Sequence, residues 1–197
     1  REARLTSDQT MFLHKMARKT WAFFETYVSP EDHWLPPDNF QEHPAQKVAH
    51  RTSPTNMGLA LLANLSAYDF GYLSAGQLIE RTIHTFDSMA TLERFRGHFY
   101  NWYDTQTLKP LLPMYVSSVD SGNLAGHLIA VAGACRAWSR AGDSPRCGVL
   151  DMDAMTLARE EARLLRSKRR LPTLPWPRVE EDLAKLAQGL HGAAGAQ

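Results

Sequence analysis

Two stretches of this chain carry almost no charge while keeping a helix-forming composition: NMGLALLANLSA from Asn56 and NLAGHLIAVAGACRAW from Asn123. A helix that is apolar all round has no face to give to water and must be buried on most sides. The rest of the chain therefore has to supply neighbours for two inner helices, which points to an all-α architecture. Ser53-Pro54 opens the first, since Ser caps free N–H groups and Pro at the first helical position loses no needed donor. That helix is expected over residues 53–70, with Met57, Leu61, Leu62 and Leu65 on a broad apolar stripe and Gly71 in the left-handed position past its end. The second is expected over 121–140, ending at Gly142.

Between them, Ser74 and Gln77 make a capping-box pattern that starts a third helix, expected to end near 94–96 ahead of Gly97. Ile79, Ile83, Phe86 and Ala90 form its expected inner face, and Glu80, Arg81, Asp87, Glu93 and Arg94 its wet face, so it reads as an outer helix. Residues 7–28 form another, with Phe12, Met16, Thr20, Phe23 and Tyr27 at the spacing of one helical face. Outer and inner helices thus alternate. Antiparallel neighbours then place the connection before each inner helix at the same end of the layer, where helix N-termini offer free N–H donors and partial positive charge.

Both connections are unusual. Residues 29–52 hold Pro30, Pro36, Pro37 and Pro44, which exclude a regular helix, with Trp34 and Phe40 as anchors, so the loop is expected to be ordered. Glu31, Asp32, His33 and His43 within it lack the regular spacing of zinc motifs, and no metal or cofactor is expected. The other loop begins HFYNWYDT at His98, alternating flat rings with hydrogen-bonding edges. That mixture suits a sugar, whose C–H face stacks while its hydroxyls need polar partners, and equally suits a buried hairpin. Asp120, ahead of Ser121-Gly122-Asn123, is either the cap of the last inner helix or a site carboxylate.

A hydrophobic content of 44% and a net charge of +1 are those of an ordinary globular domain and leave no electrostatic footprint for nucleic acid. Cys135 and Cys147 have no metal-ligand or redox spacing, and Cys135 reads as a small buried thiol in a reducing compartment. No apolar run reaches the length of a membrane span and the start has no signal-peptide architecture, so the isolated chain is expected to be soluble and cytoplasmic. It lacks an initiator Met, which suggests a piece of something longer. Past Gly142 the reading is of amphipathic helices over 152–170 and 179–190, a basic helix end over 163–170 and a fraying tail.

The motifs RTSPTN from Arg51, HFYNWYDT from His98 and VDSGNLAGHL from Val119 resemble the glucoamylase-like central domain of cyclic β-1,2-glucan synthases, large bacterial inner-membrane proteins, over residues 13–138. The resemblance implies a partial (α/α)6 toroid of the six-hairpin glycosidase type. Residues 1–142 would be its N-terminal part and 143–197 a helical extension. It further implies action on linear β-1,2-glucan by glycosyl transfer, beside the remaining domains of the parent synthase. By resemblance Arg51, Thr52, Ser53, Asn56, Asn101, Trp102, Tyr103, Asp104, Asp120 and Asn123 line or brace a sugar pocket. The family's acid/base and nucleophile carboxylates lie later, so this chain is expected to lack the catalytic pair. Glycoside chemistry needs two carboxyl groups roughly 5 to 9.5 Å apart, and Asp104 and Asp120 are the local candidates, read here as positioning groups. The alternative is a non-catalytic helical binding or scaffold module, its aromatics core and its amides caps.

Overall fold

The computed structural model describes residues 4–141 and 156–160 together with Glu181 and Lys185. Contacts divide the chain into two compact units, Arg1–Thr20 with Val149–Gln197, and Trp21–Gly148. Helix α1 (Ser7–Tyr27) begins in the first and ends in the second. Thr6 and Gln9 start it with a reciprocal capping box, Gln9 N donating to Thr6 Oγ1 at 3.3 Å and Thr6 N to the Gln9 amide oxygen at 2.9 Å. In the first unit Lys15 pairs with Glu160 in a short helical stretch over 156–160. Phe12 and Met16, expected on the buried stripe, are exposed, and the burial of α1 is confined to Trp21. The remaining readings for 152–170, including the basic run, and for 179–190 and the tail lie outside the described residues.

The second unit is built on α2 (Pro54–Asp69). Ser53 caps it, its Oγ accepting from Asn56 N at 3.2 Å, and Gly71 takes φ 81° just past its end. Met57, Ala60, Leu61, Asn64 and Ala67 are all buried, as a chargeless helix requires. Helix α3 (Ala75–Thr91) carries the expected Ser74–Gln77 capping box. Helix α4 (Ser118–Ala141) packs on α2 through Leu124, Leu128 and Val131. The two helices approach closely: a Cβ on Gly58 would lie 2.2 Å from Nδ1 of His127.

Three expectations for these helices are corrected. Helix α3 stops at Thr91, because Leu92 turns extended and buries its side chain. The chain then forms a hairpin of β4 (Arg94–Phe95) and β5 (His98–Phe99), with Arg96 and Gly97 both at positive φ as a tight primed turn demands. The buried face of α3 is also rotated. Ile79, Ile83, Phe86 and Ala90 are exposed, while Leu78, Thr85 and Met89 are buried. The cause is the loop after α1, whose irregular backbone leaves carbonyls without ladder partners. Helix α3 answers them with side-chain donors: Thr85 Oγ1 to Trp34 O at 3.1 Å, Ser88 Oγ to His33 O, and Arg81 Nη2 to Phe24 O at 2.9 Å and Val28 O at 3.2 Å. Arg81, placed on the wet face by its charge, instead lies against the rings of Trp21 and Trp34 at 5.2 and 5.5 Å. Burial pushes its guanidinium below its usual value and nearby Glu25 partly restores it. Last, α4 is inner on one side only, since Val119 and Ile129 are each 69% exposed and Cys135 is exposed rather than buried.

The loop before α2 is ordered by a 3-10 turn (Pro30–Asp32), the pair β1 (Phe40–Gln41) and β2 (Lys47–Val48), and the buried residues Leu35, Pro36 and Pro37. Its last two residues, β3 (Arg51–Thr52), pair antiparallel with β6 (Tyr103–Asp104) of the second loop, Arg51 opposite Asp104 and Thr52 opposite Tyr103. Removing the Arg81 guanidinium takes the donor from Val28 O, leaves Phe24 O only its Val28 N partner and opens the space between two indoles, so Arg81→Ala should cost about 3 kcal/mol in urea unfolding, against within about 0.5 for exposed Glu80→Ala.

Candidate functional site

The pairing of β3 with β6 sets the two long loops side by side at the start of α2. Asp32, buried, holds both strands from behind, its Oδ1 accepting from Thr105 Oγ1 and lying 2.8 Å from His50 Nδ1. Thr105 N adds a backbone bond to His50 O at 3.1 Å. Around this frame the N-termini of α2 and α4 meet. Thr55 Oγ1 donates to Asp120 Oδ1 at 2.7 Å and accepts from Asn123 Nδ2 at 3.1 Å.

Asn101, buried, joins that contact to the aromatic loop. Its neighbours assign the amide orientation: the nitrogen donates to Asp120 Oδ2 at 2.9 Å, and the oxygen accepts from Trp102 Nε1 and Tyr115 OH, each at 2.8 Å. Asp120 is therefore not the helix cap. Helix α4 starts three residues before the expected Ser121, and it is Ser117 Oγ that accepts from Asp120 N, at 3.2 Å. Burial raises the Asp120 pKa, but the hydrogen bonds from Ser117, Thr55 and Ser53 outweigh it and hold the carboxyl below its ordinary value. Asp120 is ionised at neutral pH and cannot donate a proton as a general acid.

On the outer side of the loop, Arg51 Nε and Nη2 both donate to Asp38 Oδ2, at 3.2 and 2.8 Å, and Asn56 Nδ2 donates to Asp38 Oδ1 at 3.3 Å. The guanidinium sits 4.9 Å from the centre of the Trp102 ring. Arg51, Asn56, Asn101, Trp102, Asp120 and Asn123 are thus brought together. Asp38, Thr55 and Tyr115 belong to the same array and were missed: each acts through a partner distant in sequence, and no local spacing marks it.

Four expected residues lie in the frame rather than in the array. Tyr103 has 0% exposure, its OH donating to Glu93 O and accepting from Tyr100 N, both at 2.7 Å, and burial pushes the phenol up to about 12. It offers no face to a ligand. Asp104 closes a turn, its Oδ1 accepting from Gln106 N, Thr107 N and Thr107 Oγ1 at 3.0, 2.7 and 3.0 Å. Burial raises its pKa as well, and the turn's hydrogen bonds with nearby His50 bring it net below the ordinary value. Thr52 is buried, with its hydroxyl unpartnered among the described residues, and Ser53 caps α2. No described residues form a group of metal-binding side chains.

Two carboxyls with folded pKa values below their unfolded ones contribute stability that is full above the unfolded value and is lost as pH falls through the folded one. The thermal unfolding temperature should therefore fall as pH drops below about 4, the usual carboxylate value. In Asp120→Asn the acid-dependent loss should be smaller than in the wild type; an unchanged loss would remove Asp120 from this account.

No family model matches the chain. It is 50% identical over 139 residues, 71% of the chain, to the cyclic β-(1,2)-glucan synthase NdvB of Rhizobium meliloti, and it spans 5% of that protein's length. Among solved structures it resembles a glucoamylase-like protein of Bacteroides fragilis, with TM-score 0.53 and 21% identity over 65% of this chain and 31% of that one. It also resembles the endo-β-1,2-glucanase of Chitinophaga pinensis in complex with sophorotriose and glucose, with TM-score 0.50 and 17% identity over 64% of this chain and 31% of that one. These likenesses show the fold, which is mostly helical and glucoamylase-like. With half its aligned residues identical, and in agreement with the motifs that carry the resemblance, the chain is a homologue of a segment of the cyclic β-(1,2)-glucan synthases.

Proposed function

We propose that the chain is the N-terminal part of a partial (α/α)6 toroid that binds β-1,2-glucan for glycosyl transfer within a larger bacterial inner-membrane synthase. The observation that carries this reading is the continuous polar array from Asp38 through Arg51 and Trp102 to Asn101, Asp120, Thr55 and Asn123. It sits where two helix N-termini meet, and Trp102, Asn56 and Asp120 are only partly buried. Partly exposed amides and carboxylates beside an indole suit sugar hydroxyls and C–H faces. The engaged, ionised Asp120 supports positioning rather than proton transfer, and the catalytic carboxylate pair is assigned to residues outside this chain. The rest of the parent synthase would supply that pair and the remaining toroid wall. No described helix is long and apolar enough to cross a membrane.

The rival reading, a non-catalytic helical scaffold, is separated by titration. Because the chain spans 31% of the structures it resembles, binding of β-1,2-glucooligosaccharides should be weak, in the millimolar range or about −4 kcal/mol. It should exceed binding of cellooligosaccharides and fall on Trp102→Ala, with amide shifts between residues 98 and 123. A scaffold would give no saturable signal. The exposed Ile79, Ile83, Val119 and Ile129 should also bind a hydrophobic dye; a monodisperse monomer that binds none would count against the partial toroid.

A further inference from the structure

An open groove of about 520 Å³ lies beside the polar array, between the end of α1 and strand β1. Its volume is in the range of small-molecule sites. Three rings form its apolar side: Tyr27 stacks on Phe40 at 5.1 Å and meets Phe23 at 5.3 Å. Asp38, Asn39 and Glu42 supply polar edges on the same rim. The groove is continuous with the array, because Asp38 lines it and also accepts the Arg51 guanidinium at 2.8 Å, the same guanidinium that covers Trp102.

We infer that the groove is a second sugar-binding subsite, taking units of a β-1,2-glucan chain that extends past the Arg51–Asp38 pair from the Trp102 site. This rests on the proposed function above. Stacked rings flanked by short polar side chains offer the C–H faces and hydroxyl edges of a glucose unit what each needs. A flat apolar ligand would make no use of the exposed Asn39 and Glu42 edges, whereas sugar hydroxyls can hydrogen-bond to them. Asn39 and Glu42 are exposed and no structural bond of the core depends on them, apart from a contact between the Asn39 amide and Asp38 at 3.1 Å and its backbone pairing with Ala49.

The test compares a β-1,2-linked glucose disaccharide with a hexasaccharide on the full chain, by isotope-edited NMR titration. The longer ligand should bind about tenfold more tightly, the worth of one or two net hydrogen bonds. It should shift amides of 38–42 as well as 98–123. Asn39→Ala and Phe40→Ala should each bring the two ligands to within about twofold while leaving the disaccharide affinity unchanged, and Asn39→Ala keeps the test valid if loss of Phe40 unfolds the strand pair. Shifts confined to 98–123, or a length dependence that survives both variants, would overturn the groove and leave the Trp102 site standing. Shifts confined to 38–42 would sink the Trp102 site and with it the chain path proposed from it, and shifts in neither segment would sink both sites.

Discussion

A two-residue antiparallel pairing, Arg51–Thr52 with Tyr103–Asp104, is the constraint on which the candidate site depends. It joins two long loops, which between them have only the short 3-10 turn of Pro30–Asp32 as helix to satisfy their backbones, and buried N–H and C=O groups must find partners. Each loop answers the other: Thr105 N reaches His50 O, while within the second loop Asn101 N reaches Tyr115 O at 2.8 Å and Leu111 N reaches Trp102 O at 2.9 Å. Asp32, from the start of the first loop, fixes the register by engaging a residue beside each strand, His50 and Thr105. Because Ser53 follows β3 directly and begins α2, and Asn101 and Trp102 directly precede β6, one register positions the helix start, the amide and the indole together.

Arg81 plays the corresponding part at the other end of the loop. A cation is costly to remove from water, and it persists in a protein only where faces and acceptors replace its hydration. Here two indoles flank it and the carbonyls of Phe24 and Val28, at the C-terminal end of α1 where the helix dipole favours positive charge, accept its N–H groups. Asn64 of α2 adds a longer contact at 3.4 Å. The same side chain thereby joins α1, the loop, α2 and α3, and its engagement is what turns the polar side of α3 inward and its Ile79–Ile83 side out.

The features legible in the sequence are those decided by a few neighbouring residues. Ser53-Pro54, the Ser74–Gln77 box and the positive φ of Gly71 are local chemistry, and each lies where the spacing places it. The meeting of the two inner-helix starts also followed from alternation, and the Thr55–Asp120 bond is its direct expression. Most of the misreadings share one origin. The face of α3 and the burial of Tyr103 are set by partners distant in the chain, about which apolar periodicity carries no information, and the same periodicity does not say which side of α4 is left uncovered at Cys135. Asp120 illustrates the difference well: a capping sequence surrounds it, yet Ser117 takes the local role and frees the carboxylate for Thr55 and Asn101.

The division of labour among the loop's rings bears on how the site would recognise anything. Phe99, Tyr100 and Tyr103 join the core cluster with Leu61 and Met89, so the ring density that first suggests stacking is largely structural. Trp102 remains partly open, and one of its faces is already covered by Arg51. Recognition at such a site would therefore rest more on hydrogen-bonding edges than on stacked faces. Those edges are held before any ligand arrives, since Asp38, Asn101, Thr55 and Asp120 each fix the next in line. Groups ordered during folding need no further ordering on binding, and a site of this kind spends little of its contact energy on immobilising its own side chains.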